Sequence, residues 1–278
     1  MSTLAKSRRD GQALRVIVEG IGLHHGKEVR LELVRAAGPV QFEREGVVRS
    51  IDAFQVSGTR FATSIACDAF ELHTVEHFLA ALAGLGVRGG CCLRVSGGAE
   101  LPLLDGGARE YASWVAKLGL PTERSSLRIV RPVRIEVGGS IYELEPGEET
   151  SMSVEVELPT SCDRKASWNG ARGTFIDEIA PARTFAIESE VAELTKLGLA
   201  RHVEPRSVLV VSEAAIFGEA PIARHEPARH KLLDLIGDAY LHHGPPRGVM
   251  RVLRPGHTHN HTAFARALGM GALTMECM

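Results

Sequence analysis

Aromatic residues make up only 5% of the 278-residue chain, too few for a surface that stacks nucleic-acid bases. Charge of one sign is missing as well. The 32 Lys and Arg against 34 Asp and Glu leave a formal net charge of −2, so no bulk field draws the protein to nucleic acid or an anionic membrane. The longest apolar run covers residues 78–85, far short of the about 20 residues that span a bilayer. Residues 1–13 are polar and basic and lack the apolar stretch of a signal peptide. Cysteine is sparse and odd in number: Cys67, Cys91, Cys92, Cys162 and Cys277 form no C-x-x-C pair and no disulfide framework. Reduced thiols in a cytosolic compartment account for that pattern. With 44% hydrophobic and 24% charged residues, the chain reads as a soluble, cytoplasmic globular protein of one large domain or two of about 120 to 150 residues.

What the chain does have is alternation. Residues 14–19 and 29–34 alternate apolar and charged side chains around the turn Gly20-Ile21-Gly22-Leu23-His24-His25-Gly26, a hairpin-like unit. Residues 47–56 read as a strand and 74–83 as a helix closed by Gly84 and Gly86. Residues 91–95 read as a strand, and 108–118 as a helix after the Asp105-Gly106-Gly107 turn. Residues 119–126, with Pro121, read as a linker. The second half opens in the same manner: 127–137 alternates, Gly138-Gly139 turns, 141–144 returns, and Val154, Val156 and Leu158 supply another strand. Helical patterns follow at 175–179 and 188–197, a strand at 207–211, a helix at 227–241 and a strand at 248–253. Each half is thus expected to run strands, then helices, then a strand, which points to a duplicated α+β unit. The expected domains are 1–122 and 123–278, with an insert near 198–222 because residues 207–216 have no counterpart in the first half.

The densest signal is Arg229-His230-Lys231-Leu232-Leu233-Asp234-Leu235-Ile236-Gly237-Asp238. His230, Asp234 and Asp238 recur every four residues, which on a helix stacks them about 6 Å apart. Leu232, Leu233, Leu235 and Ile236 fill the other faces, as in a buried helix. An imidazole and carboxylates there are costly unless paired or bound to a metal; a solvated polar stripe is the plain alternative.

Among twelve histidines two further clusters stand out, His73-Thr74-Val75-Glu76-His77 and Gly256-His257-Thr258-His259-Asn260-His261. The first matches the H-x-x-E-H pattern of inverzincin peptidases. Thr74 as an N-cap would leave His73 outside the helix, however, and the later helical carboxylate such a peptidase needs is missing, since Glu155 and Glu157 lie in strand-like sequence. Taking one ligand from this cluster and two from the long helix gives His77, His230 and Asp234. That is a two-histidine, one-carboxylate zinc set with a fourth position open to water. Glu76 can then take a proton from the water, whose pKa zinc lowers to about 7. His257, on a glycine-preceded loop, serves as general acid or as a clamp on the oxyanion. Asp238 can hold that imidazole charged, and Thr184, in Ala182-Arg183-Thr184-Phe185, offers a hydroxyl to the same oxyanion. Every role in metal-assisted amide hydrolysis is filled. Asp105 reads as a turn residue, His24 as a substrate contact or an exposed loop residue, and His259 and His261 as solvent-facing.

In this order the glycine-histidine turn, Thr74-Val75-Glu76-His77-Phe78-Leu79-Ala80-Ala81-Leu82, Leu85-Gly86-Val87, Ala182-Arg183-Thr184-Phe185, the 229–238 block and Gly256-His257 resemble the UDP-3-O-acyl-N-acetylglucosamine deacetylases of lipid A synthesis. The resemblance runs over residues 16–268. It implies an α+β fold, a two-layer β/α sandwich of two similar β-α-α-β domains with the active site between them. It also implies one zinc per chain, with ferrous iron the alternative, on His77, His230 and Asp234. Glu76 would be the general base, His257 the charged acid, Asp238 its partner and Thr184 the oxyanion donor. Lys231 and Phe185 would touch the substrate, and the insert would border a passage for an acyl chain. The implied partner is a small amino-sugar substrate, nucleotide-linked and acylated, with transient membrane contact at most.

The departures fall on recognition. Where such deacetylases usually carry Gly-Gly-Ser, Gly198-Leu199-Ala200 is followed by Arg201-His202-Val203-Glu204-Pro205, which cannot reproduce a permissive glycine backbone. The Phe-x-x-His-Pro-like element that packs on uridine has its nearest counterpart in Val156-Glu157-Leu158-Pro159. A lysine of the second domain's first hairpin falls at Ser140, and an asparagine is replaced within Val87-Arg88-Gly89-Gly90. The expected function is zinc-dependent removal of the N-acetyl group of an amino sugar. The alternatives are a paralogue acting on an N-acylated sugar lacking UDP or the acyl chain, and a non-catalytic sugar- or metal-binding protein.

Overall fold

The computed structural model describes residues 6–8, 15–160, 164–200 and 202–276; Cys162, Arg201 and Cys277 lie outside the described residues, as does all but Lys6–Arg8 of the N-terminal stretch. Two sheets carry the molecule, and the alternation of buried and exposed side chains along their strands gives each sheet one face for the core. In the first sheet the spatial order is Lys6–Arg8, Arg15–Ile21, Glu28–Pro39, Gly89–Gly97, Gln41–Arg44, Val47–Ser50. In the second it is Val133–Val137, Ser140–Glu145, Gly248–Leu253, Thr150–Glu155, Lys165–Trp168. Apart from the extra edge strand Lys6–Arg8, the two orders are the same. In both, the last strand in sequence enters the middle of the sheet, antiparallel to the second hairpin strand and parallel to the third. A parallel neighbour needs a crossover, and a helix supplies it each time.

The helices are α1 (Glu76–Gly84), α2 (Arg109–Leu118), the single turn α3 (Arg172–Thr174) running into a π-helical turn at Phe175–Ile179, α4 (Glu188–Lys196), α5 (Glu226–Tyr240) and α6 (His257–Gly269). The α+β class is therefore as expected, with one change in order. The central strand comes between the two helices of each half, α1 and α2 flanking Gly89–Gly97, α5 and α6 flanking Gly248–Leu253. Periodicity in the sequence ends the second half at that strand and puts His257 on a loop, whereas His257 opens α6. Its histidine-rich run hides the helix: Ala263, Phe264 and Ala267 are buried, but so are His257, Asn260 and His261, so polarity does not mark the outer face.

Two smaller expectations also change. The continuous strand at 47–56 is broken by a 3₁₀ turn at Ile51–Ala53, which Ser50 caps by accepting the Asp52 N–H. Thr74 does not cap α1: it sits at φ +56°, and the helix starts two residues later without a side-chain cap. A small sheet (Thr184–Ile187, Val208–Val211, Ile216–Phe217) falls in the chain between Lys165–Trp168 and Gly248–Leu253 of the five-stranded one, beginning well before residue 198. The first half carries a three-stranded sheet at the equivalent place in the chain (Gln55–Gly58, Ser64–Ala66, Glu71–Leu72). A third pairing, Leu127–Ile129 with Leu273–Met275, brings the end of the described chain back to residue 127.

The helices of the two halves pack on each other, with α1 against α5. Both are almost wholly buried, and Phe78, Leu79, Leu82, Leu232, Leu233, Leu235 and Ile236 join one continuous core. The approach is close because position 237 is glycine: a Cβ there would lie 2.1 Å from the Glu76 carbonyl oxygen. Tyr240 adds a tether from α5 to the first half, its hydroxyl donating to the Val87 carbonyl at 2.8 Å. Among the described residues no helix is long and apolar enough to cross a membrane.

Candidate metal centre and active site

The crossing of α1 and α5 puts the first turn of one helix beside the middle of the other. Glu76 and His77 open α1, where an acidic side chain meets the positive end of the helix dipole. His230 and Asp234 lie one turn apart on α5, which Pro227 helps to start. His77 Nε2 is 3.7 Å and His230 Nε2 3.3 Å from Asp234 Oδ1, and all three side chains are at most 4% exposed. Among the described residues these three are the one group whose ligand atoms converge, within 4.8 Å of one another.

Their protonation follows from what stands behind them. His77 Nδ1 faces the Gly107 carbonyl at 3.1 Å and His230 Nδ1 the Ala182 carbonyl at 3.0 Å. A carbonyl only accepts, so each Nδ1 carries the hydrogen and each Nε2 of the neutral ring presents a lone pair. Burial, aided by His230 and His257, pushes His77 down to about 3, and burial likewise lowers His230, so both rings stay neutral. Burial alone would raise Asp234, but its neighbours, with Lys231 and His257 the cationic ones among them, hold it well below the carboxylate range. Two lone pairs thus face an anionic oxygen, Asp234 Oδ1, that is buried with no hydrogen-bond partner. That is untenable without a cation between them, so the donor set fits a divalent ion held by two imidazoles and a carboxylate. The Nδ1 tethers are the second contacts metal-binding histidines make.

Around this set stand the remaining candidates. Burial, reinforced by Asp234 and Asp238 and opposed by His257, raises Glu76 to about 7. Its Oε2 accepts the Thr63 N–H at 3.0 Å. His257 Nδ1 donates to Asp238 Oδ2 at 2.9 Å, and its Nε2 lies 3.8 Å from Asp234 Oδ2. Burial disfavours charge on His257, yet Asp238, with Asp234 and Glu76, raises it to about 9. Asp238 is fully buried and receives further donors from Thr63 Oγ1 (2.6 Å) and Asn260 Nδ2 (2.8 Å), while His261 Nε2 stands 3.3 Å away. Lys231 Nζ donates to Asp234 Oδ2 at 2.9 Å and lies 5.6 Å from the centre of the Phe185 ring, which is 6.3 Å from His230. Thr184 opens its strand half-buried, two residues beyond the Ala182 carbonyl that holds His230, with its N–H on the Gly106 carbonyl. A buried ion pair fixes that segment: Arg183 Nε and Nη2 donate to Glu226 Oε1 (2.7 Å) and Oε2 (3.0 Å) at the start of α5.

Other expectations fare differently. His73 is off the helix, its Nδ1 2.9 Å from Ser64 Oγ, so the H-x-x-E-H pair does not converge and the peptidase reading falls. His261 is not solvent-facing; at 8% exposure it stands four residues after His257 on the same face of α6, between Asp238 and His242. Asp105 is more than a turn residue, because its Oδ1 is buried without a partner and burial raises it to about 6. His24 hangs in its turn with its backbone N–H on Glu100 Oε1 at 2.8 Å and a buried, unpartnered Nδ1. In the loop that departs from the deacetylase pattern, the His202 ring lies over Gly26 of that same turn. Thr63 belongs to no motif of the sequence, and Asn260, Gly107 and Ala182 lie in stretches noted for other residues. The helical spacing from His257 to Asn260 and His261 is the one sign of Asn260's role.

Three lone pairs aimed at one point belong to a metalloenzyme, and a carboxylate and a carboxylate-held imidazole beside them to one that hydrolyses its substrate. Residues 13–269 match the model of the UDP-3-O-acyl N-acetylglycosamine deacetylase family, and the chain belongs to that family. It is 32% identical over 266 residues to the UDP-3-O-acyl-N-acetylglucosamine deacetylase of Anaeromyxobacter dehalogenans (strain 2CP-C), covering 92% of this chain and 86% of that one. It is 33% identical over 265 residues to the enzyme of the same name from Myxococcus xanthus (strain DK1622), covering 90% and 83%. With that of Thermosynechococcus vestitus (strain NIES-2133 / IAM M-273 / BP-1) it shares 32% over 260 residues, covering 90% of each.

Proposed function

We propose that the protein hydrolyses the N-acetyl amide of an amino sugar, the substrate being a UDP-3-O-acyl-N-acetylglucosamine as in its relatives' names, and releases acetate and a free amine. The observation that carries this reading is the buried Asp234 Oδ1, left without a hydrogen-bond partner between two imidazole lone pairs. His77, His230 and Asp234 hold the metal, zinc by preference for this donor set and ferrous iron as the alternative. Such an ion supplies Lewis acidity, polarising the amide carbonyl and lowering the pKa of water.

The residues around it move the protons. Glu76, poised near neutrality by burial, takes a proton from the attacking water. Thr184 donates its hydroxyl to the oxygen that becomes negative as the carbonyl carbon turns tetrahedral. His257, kept charged by Asp238, gives a proton to the departing nitrogen as the C–N bond breaks. Lys231, Phe185 and His24 line the substrate's approach, the first two by their contact with Asp234 and His230. We place the division between the repeated units at residues 122 and 123, and the protein in the cytoplasm, in keeping with the unpaired Cys67, Cys91 and Cys92.

The test is acetate release from a graded series: UDP-linked 3-O-acylated N-acetylglucosamine, the same sugar without the acyl chain, and simple N-acetylglucosamine derivatives. Turnover is expected on the first, with about one metal ion per chain, as a single two-histidine, one-carboxylate site requires. A metal-loaded protein inert on the whole series would overturn the reading and leave a sugar- or metal-binding protein instead.

A further inference from the structure

We propose that Thr63 is a positioning residue that ties the base of the reaction to the acid, one residue holding both in register; this rests on the roles given above to Glu76, Asp238 and His257. Thr63 is fully buried and lies just ahead of the strand Ser64–Ala66, in the small first-half sheet. Its backbone grips the start of α1 from both sides. The Thr63 N–H donates to Glu76 Oε2 at 3.0 Å, and the Thr63 carbonyl accepts the Val75 N–H at 3.2 Å. The side chain reaches across to the other half, where Oγ1 stands 2.6 Å from Asp238 Oδ1, 3.2 Å from His257 Nδ1 and 3.3 Å from His261 Nε2.

The hydroxyl has one hydrogen and an ionised carboxylate only accepts, so that hydrogen goes to Asp238. Its lone pairs then face the imidazole nitrogens. Asp238 Oδ1 takes the Thr63 hydroxyl while Oδ2 takes the His257 Nδ1–H and the Asn260 amide. This fixes the plane of the carboxylate and with it the tilt of the His257 ring. Tyr142 holds Asn260 in turn, its hydroxyl donating to Asn260 Oδ1 at 2.7 Å. Thr63 is the member of this network that also touches the base. A displacement of the first-half loop therefore moves Glu76 and Asp238 together rather than apart.

The backbone half of the contact survives any substitution but proline, so the hydroxyl can be tested alone. Thr63→Val keeps the shape and removes the donor to a buried carboxylate. It is expected to lower kcat roughly 10- to 100-fold, the loss of a hydrogen bond to a charged group, with KM and metal content within about twofold of the parent. Thr63→Ser keeps the hydroxyl and should restore most of the rate. The imidazole N–H proton resonance between His257 and Asp238, read in metal-free protein, should shift in Thr63→Val and not in Thr63→Ser. Where Thr63→Val does not fold, Thr63→Ala carries the same expectations. A Thr63→Val or Thr63→Ala protein with parental kcat overturns the proposal, as does Thr63→Ser impaired as deeply as Thr63→Val, which would make the contact one of packing. Asp238→Asn separates the two layers. If it collapses kcat while Thr63→Val does not, Thr63 alone is misassigned. If Asp238→Asn is itself without effect, the assignment of the acid falls and the proposal with it.

Discussion

The two halves share a sheet order, a parallel crossover and a helix–strand–helix run, yet they equip the site in opposite ways. In the first half α1 is apolar along its length and offers only its opening residues, Glu76 and His77. In the second half α5 carries His230, Asp234 and Asp238 down one stripe, and α6 adds His257. The same frame can therefore present chemistry from a helix end or from a helix face, depending on where its partner crosses. Gly237 decides this, since it lets the start of α1 settle between Asp234 and Asp238.

The sharpest way to test that division of labour is to disable one contribution from each half. His230→Ala, on the second-half helix, should release the metal and abolish turnover together. Glu76→Gln, in the first half, should keep the metal and lower kcat about 10²- to 10⁴-fold, the usual worth of a positioned base. Metal analysis beside steady-state rates reads both, and metal loss from Glu76→Gln would merge the two roles.

Next in size is the clamp. Arg183→Leu strands the buried carboxylate of Glu226 and should cost about 3–5 kcal/mol, whereas Arg30→Ala, which opens the exposed 2.6 Å pair with Glu19, should cost under about 1 kcal/mol. Denaturant unfolding of both variants measures the contrast. A smaller loss is expected at the crossing. Gly237→Ala gains helix propensity, but its methyl would sit 2.1 Å from the Glu76 carbonyl oxygen. The net should be a destabilisation of about 1–2 kcal/mol with a fall in kcat; an unchanged melting temperature would show that the helices have room to part.

The last expected effect concerns pH and is confined to acid solution. Burial, with His261 and His243, pushes His242 down to about 4 against the pull of Asp238. An unfolded chain protonates that ring near 6.5, so stability is undiminished above that pH. It drains as the pH falls from about 6.5 to 4, by about 2–3 kcal/mol at most. His242→Phe should flatten this window in melting temperature against pH, and a parallel curve for the variant would remove His242 from the account.

Much of the site is legible in the residue order because its signal is spacing. His230, Asp234 and Asp238 at four-residue intervals within an apolar run mark a polar stripe, and Glu76, His77 and His257 supply the partners that favour a buried, functional stripe over a solvated one. What stays hidden has a different character. The α6 helix carries polar residues on its inner face, which defeats a reading that equates polarity with solvent. Thr63 works through a backbone N–H as much as through its side chain, and a lone threonine in a loop has no pattern. In the first half the run helix, strand, helix at 74–83, 91–95 and 108–118 follows the residue order, whereas in the second half the pattern stops at the strand because the polar inner face of α6 hides the last helix.

The two carbonyls behind the metal ligands have a consequence for how this site can change over generations. No substitution at position 107 or 182 deletes a main-chain oxygen, so the acceptors that aim His77 and His230 are inherited with the path of the chain rather than with any side chain. What is exposed to mutation is the room for that path. At Gly107 a Cβ would lie 2.4 Å from the Ala180 carbonyl oxygen and 2.8 Å from that of Ala182, so a side chain there would push away the segment that aims the other imidazole. The aim of the imidazoles thus hangs on the absence of one methyl group.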